Sequence, residues 1–175
     1  MLKEKIQSLA HAYYPQLLEV RHHLHAHPEL SYCEFETSKF IQQQLQQLGI
    51  SFTVMATTGI TGIIEGRNPQ SRIIAVRADM DALPIHEQND VPYKSLNNGV
   101  MHACGHDVHT TCLLGAVKIL HELKNEFEGT VKFIFQPGEE RNPGGASLMI
   151  KEGVLENPRP QGIVALHVHP GLDTG

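Results

Sequence analysis

What most constrains the fold of this chain is a set of three short runs of β-branched and apolar residues, RIIAVRA (72–78), TVKFIFQ (130–136) and GIVALHV (162–168). Runs of this length bounded by turn-forming residues read as strands, and SFTVM (51–55) and TGIIEG (61–66) read the same way. Elsewhere the apolar period is helical. Ile6, Leu9, Ala10 and Tyr13 predict an opening helix, and Pro15 suits the first turn of a second one carrying Leu17, Leu18, Val20 and Leu24 and ended by Pro28. A further helix is predicted over 34–48, with Phe40, Ile41, Leu45 and Leu48 on one face and Gly49 as a left-handed stop. HTTCLLGAVKILHELK (109–124) predicts a helix starting near His109 or Thr110, and GGASLMIKEG (144–153) a short one. Residues 79–108, with Pro84, Pro92 and the NNG turn at 97–99, read mostly as loop. Strands alternating with helices predict an α/β class, a layered and partly parallel sheet with helices on its faces.

Composition narrows the partners. A chain of 175 residues, 41% hydrophobic and 19% charged, can bury a real core as one domain. A net charge of -5 without a basic run gives no footprint for nucleic acid and no signal for an anionic membrane. No stretch approaches the length of a membrane span, and the polar N-terminus lacks the apolar core of a signal peptide, so a cytoplasmic location is expected. Cys33, Cys104 and Cys112 form no even disulfide framework.

The chemistry collects at the ends of the strands. RIIAVRA runs into Asp79-Met80-Asp81, TVKFIFQ into Pro137-Gly138-Glu139-Glu140, and GIVALHV carries His167 near its end, with His169 two residues on. In open α/β sheets the crevice beyond the carboxyl ends of the strands is where ligands bind. The loop Cys104-Gly105-His106 can hang over the same edge, its glycine allowing a sharp path that turns both flanking side chains toward one ion. Thiolate, imidazole and carboxylate together make a donor set for a divalent transition metal. Adjacent Glu139 and Glu140 can divide their work, one binding metal and the other moving a proton. Asp79 and Asp81 would face one side if the strand persisted, and one of them can orient a ligand. Each feature also has a plainer reading: Cys104 as a small buried hydrophobe, His106 as a satisfied loop histidine, the two glutamates as a solvated turn, and one aspartate as a turn cap. His22, His23, His25 and His27 spread round the early helix and are read as structural.

Five ordered stretches, RHHLHAHPELSYCEFETSKFI, RADMDALPI, MHACGHDVHTT, FIFQPGEE with a following GGA, and ALHVHP, resemble the metal-dependent aminoacylase and carboxypeptidase family. The match is closest to its amidohydrolase branch, typified by hippurate hydrolase, N-acyl-amino-acid amidohydrolases and indole-acetyl-amino-acid hydrolases. The resemblance implies a zinc-peptidase-like catalytic domain with two divalent ions (manganese, zinc, cobalt or nickel) that cleaves the amide of a small N-acyl amino acid with metal-activated water. Carried over by position, Cys104, His106, Glu140 and His167 fall on metal ligands, Glu139 on the general base and Asp79 on the catalytic aspartate, with Asp81 sharing an orienting role. His169 is the rival to His167, which is preferred because it directly follows the AL pair.

The resemblance also implies a longer protein, in which residues 1–175 are the N-terminal part of the catalytic domain and a lid or dimerisation domain and the rest of the catalytic domain follow. The loop-like tail HPGLDTG (169–175), with no closing helix, agrees with that expectation. Made alone, such a chain is expected to hold one ion or none and to turn over little substrate, while a homodimer would form through the missing domain. Three other functions compete: a non-catalytic metal-binding remnant, an N-acetyl-diaminopimelate deacetylase or dipeptidase of the same family, and a redox or nucleophilic Cys104, which lacks a CxxC partner.

Overall fold

The computed structural model describes residues 1–172; the last three residues of the HPGLDTG tail lie outside the described residues. The elements run α1 (Leu2–Ala26), α2 (Phe35–Gln47), β1 (Phe52–Met55), β2 (Gly59–Glu65), β3 (Ile73–Asp79), α3 (His106–Glu122), β4 (Thr130–Gln136), α4 (Gly145–Lys151) and β5 (Ile163–Ala165). The strands form one sheet in the order β1-β2-β4-β3-β5. The β1-β2 and β2-β4 pairs are antiparallel, whereas β3 runs parallel to both β4 and β5. This is the α/β, partly parallel sheet expected from the sequence.

The alternation along β4 explains the layering, because successive strand side chains point to opposite faces. Phe133 and Phe135 are fully buried on one face with Val20, Leu24, Ile41, Leu45, Leu113, Leu114 and Val117, which places α1, α2 and α3 there. Ile134 points the other way and packs with Ala75, Met149 and Val154 beneath α4. Gly115 lets α1 come close to α3, since a Cβ there would stand 2.7 Å from Leu17 Cδ1. Among the described residues no helix is long and apolar enough to cross a membrane, and the three cysteines are free thiols.

Three local expectations need correction. Pro15 does not start a second helix; α1 runs through it. A proline in a helix leaves a carbonyl one turn back without its partner, and here both His11 and Pro15 are exposed, so solvent can take over the lost bond. The helix expected from His109 or Thr110 starts earlier, at His106, because Gly105 takes a left-handed φ of 86° and turns the loop directly into the helix. The strand expected over 162–168 is only Ile163–Ala165, exposed at the edge of the sheet.

Candidate metal centre

Parallel pairing of β3 with β4 continues to Asp79 opposite Gln136, so both strands end at one level. Asp79-Met80-Asp81 and the Pro137–Glu140 turn therefore emerge side by side at the carboxyl edge, where α/β sheets form their ligand crevices. On the other side of β3, Arg77 pairs with Ala165, which carries the chain of residues 166–169 along the same edge. The Cys104-Gly105-His106 loop closes the group from above. Among the described residues, metal-capable donors cluster within 4.8 Å of one another as Cys104, His106 and His167, as His106, Glu139 and Glu140, and as Asp79, His106 and His109.

His106 is the common member and is fully buried. Its Nδ1 lies 3.3 Å from Asp81 Oδ1. Its Nε2 is buried with no hydrogen-bond partner, 3.7 Å from Glu140 Oε1 and 3.7 Å from Asp79 Oδ2. A hydrogen on Nδ1, donated to Asp81, leaves the Nε2 lone pair aimed at the carboxylates. Cys104 Sγ and His167 Nε2 stand 3.4 Å apart. Donors that sit about 2.0–2.3 Å from one ion at tetrahedral angles are roughly 3.5 Å from each other, so these separations fit a shared cation.

The two aspartates have different partners. Asp81 Oδ2 accepts from the Ser31 hydroxyl at 2.6 Å and from the Glu140 amide at 3.0 Å, so one carboxylate joins the His106 ring to the glutamate turn. Asp79 is engaged by Arg77 at 2.7 Å through Oδ2 and by His109 Nδ1 at 2.6 Å through Oδ1. His169 belongs to none of the donor clusters and instead accepts from the Gly171 amide at 3.1 Å. His25, read as structural, is buried between Asp107 and Glu87, 2.7 and 3.1 Å away.

Sequence reasoning missed several supports. Ser31, Tyr32 and Glu34 form a floor: Glu34 is fully buried and accepts from the amides of Tyr32 and Gly138 and from the Thr58 hydroxyl. His109, whose sequence context marks only a helix start, lies three residues after His106, which puts both on one helix face. For Ser31 and Glu34 the local sequence carried no signal, because the contacts that tie them to the site, with Asp81 and Gly138, span 50 and 104 residues.

The electrostatics favour a cation. Burial opposes charge on Asp81, but the His106 ring, the Ser31 hydroxyl and the Glu139 and Glu140 amides outweigh it and hold its pKa at about 2. Burial disfavours the His106 imidazolium, and the surrounding Asp81, Asp79 and Glu140 carboxylates overcome this and raise its pKa. The Cys104 thiol is pushed up to about 11 by burial and by Glu140, Asp79 and Glu139. Crowded negative charge around a thiol and a buried free imidazole nitrogen is an environment that a divalent ion relieves. A cleft of about 450 Å³, lined by residues including Arg21, His102, Cys104, Asp107 and His167, opens beside it.

Comparison with known proteins identifies the family and the fold. Residues 75–175 match the model for peptidase family M20/M25/M40. An N-acyl-L-amino acid amidohydrolase of Geobacillus stearothermophilus is 41% identical over 176 residues, covering 100% of this chain and 47% of that protein. The solved structure of the Bacillus subtilis YXEP protein, a dinuclear metal binding peptidase from the M20 family, is similar with a TM-score of 0.86 and 42% identity over 92% of this chain and 45% of that one. A solved chain from methicillin resistant Staphylococcus aureus is similar with a TM-score of 0.93 and 39% identity, covering 100% of this chain and 46% of the other. The chain thus spans about half the length of the curated relatives it matches.

Proposed function

We propose, since this chain belongs to peptidase family M20/M25/M40, that it carries the metal-holding half of an amidohydrolase that cleaves the amide bond of N-acyl amino acids. The observation that carries this reading is the buried, unpartnered Nε2 of His106, facing the Glu140 and Asp79 carboxylates beside the Cys104–His167 pair. Cys104, His106, Glu140 and His167 are read as the residues that hold divalent ions. Their mixed thiolate, imidazole and carboxylate donors suit manganese, cobalt, nickel or zinc, and the dinuclear metal binding of the Bacillus subtilis relative supports two ions. A divalent cation held there supplies Lewis acidity that lowers the pKa of water toward neutrality.

The remaining roles fall to the chain's own side chains. Glu139 is exposed and lies within the donor cluster of His106 and Glu140, where its carboxylate takes a proton from the attacking water and returns it to the leaving nitrogen. Asp81 fixes the His106 ring and, by accepting from the Glu140 amide, the register of the glutamate turn. The substrate class follows the name of the Geobacillus relative. Residues 1–175 are read as one part of the catalytic domain of such an enzyme.

Two measurements test this reading. Element analysis of the purified chain, equilibrated with manganese or zinc, should count one ion per polypeptide, and none would refute the reading of these residues as metal-holding. Release of free amino acid from an N-acyl amino acid such as hippurate, slow for residues 1–175 alone, should fall about 100-fold further in Glu139→Gln with the ions retained; an unchanged rate in that variant would refute the role of Glu139.

A further inference from the structure

We propose that His109 is a positioning residue that fixes His167 by gripping the backbone beside it, with Asp79 and Arg77 as its anchor. The inference rests on the reading of His167 as a metal-holding residue and goes beyond it by asking what places an exposed histidine past the end of an edge strand. Ladder pairing of β5 with β3 stops at Ala165. Beyond it, the hydrogen bonds among the described residues that tie 166–170 back to the fold are the Cys104–His167 contact and one backbone-to-side-chain bond, in which the Val168 amide donates to His109 Nε2 at 3.0 Å.

That bond decides the state of the ring. An amide nitrogen can only donate, so His109 Nε2 must accept and carry no hydrogen. Its Nδ1, 2.6 Å from Asp79 Oδ1, then bears the hydrogen and donates to the carboxylate, while Arg77 holds the other oxygen of Asp79 at 2.7 Å. Both nitrogens of His109 are committed to the protein, so it has no lone pair for an ion even though it clusters with Asp79 and His106. The ring is buried and meets His167 edge to face at a centroid distance of 4.6 Å. The Arg77-Asp79-His109 relay thus ends on the peptide next to His167, and the Val168 side chain is seated on Gly105 from the other side.

Cobalt titration of the full chain, read by calorimetry and by the cobalt-thiolate absorption of Cys104, tests the proposal. His109→Ala should weaken cobalt binding about 10–100-fold, the usual cost of losing a group that orients a ligand. His109→Gln keeps an acceptor near the position of Nε2 and should recover most of that loss. His109→Asn keeps only the donor toward Asp79 and should behave like His109→Ala. A second readout needs no metal: nitrogen-15 shifts of the His109 ring in the ion-free chain should report the Nδ1-protonated tautomer. Unchanged affinity in His109→Ala, rescue by Asn instead of Gln, or an Nε2-protonated ring would each overturn the assignment. His167→Ala separates the two levels: if it leaves affinity and spectrum unchanged, the reading of His167 itself has failed, and so it has if the unaltered chain takes up no cobalt.

Discussion

The carboxylate of Asp81 sits 3.3 Å from Nδ1 of His106 while its other oxygen accepts from the Glu140 amide at 3.0 Å. One buried side chain therefore sets both the ring orientation of the central histidine and the path of the glutamate turn, joining the ends of β3 and β4 to the start of α3. Removing it frees the ring and strands the Ser31 hydroxyl. In Asp81→Ala, manganese or cobalt affinity measured by calorimetry should fall about 10–100-fold. An affinity within experimental error of the parent would show that packing alone orients His106.

The turn between Cys104 and His106 depends on a residue without a side chain. Gly105 has φ of 86°, and a Cβ there would lie 2.3 Å from Val168 Cγ2. Gly105→Ala therefore carries a left-handed penalty of about 1–2 kcal/mol and drives Val168 outward. The expected result is a lower urea midpoint together with weaker cobalt-thiolate absorption, as His167 moves with its neighbour. Loss of stability with an intact cobalt spectrum would mean that the contact with Val168 is dispensable.

Beneath the site, His25 is buried against Asp107 and Glu87, with Arg21 reaching Asp107 at 3.0 Å and His102 beside it at a ring distance of 6.4 Å. Its hydrogen bond to Asp107 raises the His25 pKa against the opposing effect of burial. A histidine whose native pKa lies above its unfolded value stabilises the fold fully below the ordinary value, and that contribution is lost as pH rises through the native one. His25→Ala should accordingly cost about 3 kcal/mol at acid-to-neutral pH and less at about pH 9. Urea unfolding at the two pH values checks this, and a cost that grows with pH would reverse the assigned sign.

Much of this arrangement was legible in the sequence, for reasons visible in particular residues. The alternation of Phe133, Ile134 and Phe135 marks a strand buried on both faces, and the carboxylates at the end of β3 and in the turn after β4 mark the edge where they converge. What stayed hidden was of two kinds. Propensity rules say where helices break most often, so they misread Pro15, whose surroundings are wet, and the start of α3, which a left-handed glycine advances. Contacts between distant segments, such as Ser31 with Asp81 or the Val168 amide with His109, leave no local period and emerge only once the sheet has set the register. His109 is the intermediate case, since its spacing from His106 was readable but its partners were not.

The stretch RHHLHAHPELSYCEFETSKFI (21–41) finds a structural use in Glu34. This fully buried carboxyl accepts the Tyr32 amide at 2.9 Å, the Thr58 hydroxyl at 2.8 Å and the Gly138 amide at 2.7 Å. Tyr32 extends the clamp, donating its hydroxyl to the Arg141 carbonyl at 2.6 Å and accepting from the Gly144 amide at 2.9 Å. The glutamate turn is thus held from below at Gly138 and from the side at Arg141. Glu34→Ala leaves three donors without their acceptor and should destabilise the chain by about 3 kcal/mol or more, whereas Glu34→Gln keeps one acceptor oxygen and should cost less. Burial raises the Glu34 pKa against those hydrogen bonds, so the native state holds its proton more tightly than the unfolded chain, and this group favours folding most at acid pH, losing that contribution as pH rises through its native value. Glu34→Gln cannot titrate and should therefore remove that part of the pH dependence. Chemical unfolding of the parent and both variants across the acid range measures it; an alanine variant as stable as the parent, or a glutamine variant with the parent's pH slope, would remove Glu34 from the support of the site.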